Sequence, residues 1–207
     1  MTCDQIIQLF VAIGTIAVAI LAIWGDRIRY VIGLRPKLDL TLIDPEGEFV
    51  NIGISVDGST TPARYYHLKV SNKNRWSPAT NVRVVITGIA IPAADGQYVS
   101  QGLTGPLQLT WRFDKFHPAM YSTVGSDDIC DLGGIKQGEK FSLTPYIFPN
   151  NFQGHLEANR RMLIEVKAIA DNAESRTVCI EISWDGKWED DTKKMAEHLV
   201  VKEVSCH

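Results

Sequence analysis

The stretch from Gln5 to Gly25, QIIQLFVAIGTIAVAILAIWG, carries no charged residue, and it constrains this chain more than any other feature. As a helix it covers about 31 Å, the thickness of a bilayer's hydrocarbon core. After Gln5 only Gln8 and Thr15 are polar, and Trp24 and Tyr30 stand where an aromatic belt would lie. A cleaved signal peptide puts basic residues ahead of a short apolar core. Here the charge ahead of the core is Asp4, and the cations Arg27, Arg29, Arg35 and Lys37 all follow it. Cutting after Ala17-Val-Ala19 would leave half the apolar run on the mature chain. Residues 1–25 therefore read as an uncleaved transmembrane anchor.

The same asymmetry predicts orientation. Cations flanking a span stay in the cytoplasm, which puts the short N-terminus outside and the large domain inside, at the inner (cytoplasmic) membrane. The alternative places the domain in the periplasm or outside the cell. Within the span, Gln8, Ala12, Thr15, Ala19, Ala22 and Asp26 recur at spacings of 4, 3, 4, 3 and 4. Small and polar residues on one face allow close helix packing in lipid, so Gln8, Ala12, Thr15, Ala19 and Ala22 are candidates for self-association or for a partner helix. Ala is also common in any membrane helix. Residues 26–37 form a basic neck that ends at Pro36, with Arg27, Arg29, Arg35 and Lys37 as candidate lipid headgroup contacts. Each such cation gains about 1 kcal/mol near anionic lipid.

From Leu38 onward 17 Lys and Arg face 22 Asp and Glu. The formal net charge of −3 over 207 residues excludes a global basic field of the kind that binds nucleic acid. Apolar residues now alternate: Leu38, Leu40 and Leu42; Tyr66, Leu68 and Val70; Val82, Val84 and Ile86. Further strand candidates are 49–56, 107–113, 140–143, 161–169 and 177–184. Asp57-Gly58, Asp95-Gly96, Gly133-Gly134, Pro149-Asn-Asn151, Asp171-Asn-Ala-Glu174 and Asp185-Gly186 read as turns. Seven or eight strands without crossover helices predict a mainly β chain: an antiparallel β-sandwich over residues 38–187. An irregular stretch is expected from Phe113 to Gln137. Residues 188–207 read as a short C-terminal helix and tail, with Trp188, Met195 and Leu199 on one face and Glu189, Asp190 and Asp191 in its first turn.

Chemistry is sparse in the pattern. The five histidines show no metal-ligand spacing, and no nucleophile elbow, phosphate loop or dinucleotide fingerprint occurs. Asp127-Asp-Ile-Cys-Asp131 reads as a solvated acidic loop, since it lacks the ligand order of a calcium loop. A thiol beside acids has a raised pKa, which argues against Cys130 as a nucleophile. We expect no cofactor, no metal, no small-molecule substrate and no enzymatic activity. Of four cysteines, Cys130 and Cys179 are candidates for a long-range disulfide, although a cytoplasmic domain favours free thiols.

The segment Tyr65-Tyr-His-Leu-Lys-Val-Ser-Asn-Lys-Asn-Arg-Trp-Ser-Pro-Ala-Thr-Asn-Val82 reads as strand, polar loop, strand. As a structural turn, Asn72 and Asn74 bond nearby backbone, Pro78 fixes φ, and Trp76 folds over the end of the core. As a functional loop, Arg75 and Trp76 form an exposed partner-binding pair, with Trp111 and Phe116 as further candidates. Asn72, Pro78, Ala79, Asn81 and Val82 resemble, over about twenty residues, bacterial immunoglobulin-like modules of the CARDB type. That resemblance implies an immunoglobulin-like sandwich, in a family that usually works outside the cell. The whole chain is also similar to a group of small bacterial proteins with one N-terminal span and a β-rich domain ending in W-D-G-x-W-E-D, here Trp184 to Asp190. This second resemblance implies no activity. The expected role is a membrane-anchored, non-catalytic binding or scaffolding protein in contact with membrane lipid and with a protein partner or a second copy. The alternative is an oligomerising effector of pore type, assembled through the span.

Overall fold

A computed structural model describes residues 2–31, 35–53, 60–112 and 121–206, and divides the chain into two compact units, Met1–Arg35 and Pro36–His207. The first unit is one helix, α1 (Cys3–Val31). Its stretch Cys3–Gly25 is long and apolar enough to cross a membrane or to serve as a signal sequence, and none of it is buried in protein. Gln8, Ala12, Thr15, Ala19 and Ala22 lie exposed along it, and the Thr15 hydroxyl donates to the Val11 carbonyl one turn back. Arg27 is exposed, as are Arg35 and Lys37 beyond the helix. The side chains of Asp26 and Arg29 lie outside the described residues.

The second unit is a two-sheet antiparallel sandwich. Its strands are β1 (Leu38–Ile52), β2 (Thr61–Asn72), β3 (Ala79–Pro92), β4 (Tyr98–Ser100), β5 (Leu107–Gln108), β6 (Ser122–Val124), β7 (Asp127–Lys136), β8 (Phe141–Leu143), β9 (His155–Leu156), β10 (Arg160–Ile169), β11 (Val178–Trp184) and, after helix α2 (Thr192–His198), β12 (Leu199–Val204). One sheet runs β1-β2-β7-β8-β9 and the other β12-β11-β10-β3-β4, with β5 and β6 also on β3. Alternation turns Tyr66, Leu68 and Val70 of the first sheet and Val84, Ile86, Ile164 and Ile180 of the second into one shared apolar core. Each such side chain, fully buried, contributes about 1.5–3 kcal/mol. β2 and β3 belong to different sheets, so the loop between them crosses from one layer to the other.

Several segments depart from the sequence reading. Residues 38–43 and 48–52 are one strand, with its register broken between Ile43 and Glu48, where Asp44 and Gly47 take φ of 50° and 77°. The region expected to be irregular up to Gln137 contains β6 and the ten-residue β7, so Asp127–Asp131 opens an interior strand rather than a loop. Gly133 and Gly134 are not a turn. A Cβ on Gly133 would meet the Ser142 carbonyl at 2.7 Å, and one on Gly134 the Arg64 carbonyl at 2.8 Å, so the neighbouring strands can approach only glycine here. The turn expected at Asp57-Gly58 lies outside the described residues. At the C-terminus the helix starts at Thr192, capped by Asp191, and Glu189 and Asp190 precede it. The tail is the edge strand β12 rather than loose chain.

The cysteine pairing also differs. Cys130 is buried on β7, in the sheet opposite β11, and Cys179 instead bonds Cys206 across a Cα separation of 5.3 Å. Cys179 pairs with Val204 in the ladder, so the bond closes the end of β12 onto β11. Loop closure over a sequence separation of 27 implies a stabilisation of about 2–4 kcal/mol. Cys206→Ser should lower the unfolding free energy of the oxidised protein by about that amount, and should change little once dithiothreitol is present. Coincident urea transitions for wild type and variant in oxidising buffer would show that the bond does not form.

Candidate functional site

Asn72, the last residue of β2, is 3% exposed and uses its amide in full. Its Nδ2 donates to the Ser77 carbonyl at 2.8 Å and to the Val124 carbonyl at 3.3 Å. Its Oδ1 accepts from the Lys37 and Asn74 backbone amides, both at 3.1 Å. One side chain thus joins the start of the sandwich, the β2–β3 loop and the β6–β7 turn. Lys73 N donates to the Lys37 carbonyl at 2.9 Å, which fixes the base of the loop to the residue where the neck becomes the domain.

The rest of the loop is equally constrained. Trp76 N donates to Asn74 Oδ1 at 3.2 Å, and Ser77 is buried. On the β3 side, Thr80 N donates to Asn172 Oδ1 and Asn172 Nδ2 to the Pro78 carbonyl. Asn81 takes a positive φ of 53°, which Asn tolerates better than most residues, and its Nδ2 donates to Asp171. Asp171–Glu174 is the turn expected from sequence, closed by the Ile169–Glu174 bridge.

This frame presents Arg75 and Trp76 outward. Trp76 is 86% exposed and does not fold over the core, so the structural reading holds for the asparagines and Pro78 but not for the indole. Trp111 is 5% exposed and packed into the core, because residues 109–112 cross from the β3 layer to the edge of β7; it is not a surface contact. Phe116 lies outside the described residues. Beside the loop, Lys73 Nζ sits 3.0 Å from Asp39. That hydrogen bond, with the charges of Lys73 and Arg176, holds the Asp39 carboxyl below its usual range. Its contribution to stability is therefore present above the unfolded carboxylate range and fades as pH falls through the lowered value.

Two polar arrangements escape sequence reading. Arg64 is fully buried, donating to the Thr192 hydroxyl at 3.1 Å and to the Asp190 and Glu189 carbonyls at 2.7 and 3.4 Å, with its guanidinium 5.3 Å from the centre of the Phe49 ring. The W-D-G-x-W-E-D segment is thereby a docking strap. Trp184 Nε1 donates to the Lys187 carbonyl and Trp188 Nε1 to Asp190, while Asp185 bonds the Lys187 amide and His198. The second arrangement centres on His67, which is 3% exposed although it lies on the strand face opposite Tyr66. Its Nδ1 and Nε2 each lie 2.9 Å from a carboxylate, of Asp131 and Glu48 respectively, and Arg112 also binds Glu48. Register breaks in β1 and between β2 and β7 bring these groups together.

Both ring nitrogens of His67 are engaged by these carboxylates. Burial, with Asp131 and Asp128 nearby, pushes the Cys130 thiol up, away from thiolate chemistry. Among the described residues no group of His, Cys, Asp and Glu is placed to hold a metal ion. No family model matches the chain, and no curated protein matches it.

Asn72→Ala should destabilise the protein by about 2–4 kcal/mol in denaturant melts, because it strands buried amides and carbonyls of separate segments. Trp76→Ala should stay within about 0.5 kcal/mol of wild type, as for other exposed positions.

Proposed function

We propose that this protein is a membrane-anchored, non-catalytic binding or scaffolding module, in which α1 crosses the inner membrane of a bacterium once and holds the sandwich at the cytoplasmic surface. The observation that carries the reading is the pairing of an apolar helix, exposed along Cys3–Gly25, with a separate folded domain that begins directly after a basic segment. Arg27, Arg29, Arg35 and Lys37 follow the span and only Asp4 precedes it, which favours the cytoplasmic side. Tethering confines the domain to a thin layer and raises its effective concentration toward other membrane-bound proteins.

Two exposed apolar features offer binding surface. One is Trp76 beside Arg75. The other is Ile147 with Phe148, in the loop between β8 and β9, where Phe148 stacks edge-on against Phe152 with ring centres 5.3 Å apart. A second reading, an effector that assembles through the span, draws on the stripe Gln8, Ala12, Thr15, Ala19 and Ala22, which is exposed along the helix. Thr15 already bonds its own helix, so Gln8 is the stripe's remaining polar group for a hydrogen bond between helices.

Compartment and cysteine state are linked. In the cytoplasm thiols are kept reduced, so a cytoplasmic sandwich should hold Cys179 and Cys206 as a dithiol in living cells and close the bond after lysis. A reporter fused after His207 should then be active only on the cytoplasmic side, and rapid alkylation of intact cells should trap both thiols. A silent reporter together with a closed Cys179–Cys206 bond would put the sandwich outside. For the second reading, replacing Ala12, Ala19 and Ala22 by Leu should reduce crosslinked oligomers severalfold; unchanged crosslinking would remove the stripe from consideration.

A further inference from the structure

Trp76 is more exposed than any other large apolar side chain described, including those of the span itself, where Ile23 reaches 75%. An indole held in water by a flexible loop would be unremarkable. This one stands on a loop fixed at four points: Asn72 to Ser77, Asn74 to Asn72, Trp76 to Asn74, and Lys73 to Lys37. The last of these sets its position. Lys37 begins the sandwich, so the loop projects from the end of the domain at which the chain arrives from the apolar helix. Eleven residues, Asp26 to Pro36, lie between Gly25 and Lys37 in sequence.

We propose that the loop Lys73–Ser77 is a second membrane contact, with Trp76 seated at headgroup depth in the bilayer that α1 crosses and with Lys37, Lys73 and Arg75 against anionic lipid. The inference rests on the anchoring reading above. It does not depend on which side of the membrane carries the sandwich. Trp is favoured at the membrane–water boundary because its ring is apolar and its N–H remains near water. The loop adds two cations and no acid, and the nearest acid below it, Asp39, already faces Lys73 and Arg176. Asp127 and Asp171 lie at the same end of the sandwich, and Asp171 accepts from Asn81. The cations therefore give a modest preference for anionic lipid, and the indole supplies the main attraction. A two-point attachment would fix the tilt of the sandwich over the surface and turn the far end, with the Arg64-clamped strap, away from the lipid.

The full-length protein in vesicles of phosphatidylcholine and phosphatidylglycerol tests this. Of its five tryptophans, Trp111 is buried, and Trp184 pairs with Leu199 and Arg160 at the end of the sandwich opposite Trp76. Lipid brominated on the acyl chain near the headgroup should quench two components of the emission, one lost in Trp24→Phe and one in Trp76→Phe. The component lost in Trp76→Phe should also be blue-shifted relative to the same protein in detergent-free denaturant. If Trp24→Phe removes all lipid quenching and Trp76→Phe removes none, α1 is in the bilayer and the loop stands in water, free for a protein partner; the proposal is then overturned while the anchor survives. If the Trp24 component is itself unquenched, the helix is not in lipid, and both readings fall.

Discussion

β2 is the strand on which both ends of the sandwich depend, because each end is tied through one buried polar side chain that cannot be left without partners. Near its start Arg64 gathers the Glu189 and Asp190 carbonyls and the Thr192 hydroxyl. At its finish Asn72 gathers Lys37, Asn74, Ser77 and Val124. Apolar packing between the sheets is large but non-directional, and would tolerate many placements of loops and strap. The hydrogen-bonding needs of a guanidinium and an amide in a dry interior tolerate few. With β1 on one side and β7 on the other, β2 has no free edge, and the polar anchors at its ends inherit that rigidity.

The sequence made the simple strands legible and concealed those built against pattern. Leu38–Leu42, Tyr66–Val70, Val82–Ile86 and residues 161–169 show period-two alternation, and all are strands. β7 hid behind three aspartates and a glycine pair, which signal a loop when read locally. In the fold the glycines are where Ser142 and Arg64 backbone come too close for a Cβ. β12 hid because Met195 and Leu199 share a helical spacing, yet the β-branched run that follows pairs with β11 instead. For the site, the turn-forming role of the Asn72–Pro78 loop could be read from residue types, while its bonds to Lys37 and Val124 join positions far apart in sequence. The His67 network was invisible for the same reason, being made by two register breaks that alternation does not encode.

A sandwich with a clamped loop at one end and a clamped strap at the other has a division of labour along its length. The loop end carries Trp76 together with Lys37, Lys73 and Arg75, all exposed. The flank carries Ile147 and Phe148, exposed apolar residues large enough to matter at an interface. The His67 network, for its part, ties β1, β2, β7 and the crossing segment at Arg112 together through partly buried polar contacts.

The covalent closure at Cys206 bears on how this molecule would carry mechanical load. Without it, tension on the C-terminus would unzip β12 from Val204 inward, one ladder rung at a time, and then draw out α2 and Met195. With Cys179 bonded, the same pull is transferred into β11, an interior strand held by β10 on its other side. The sulfur pair thus sets whether a tug on this end peels the fold or is borne by its centre.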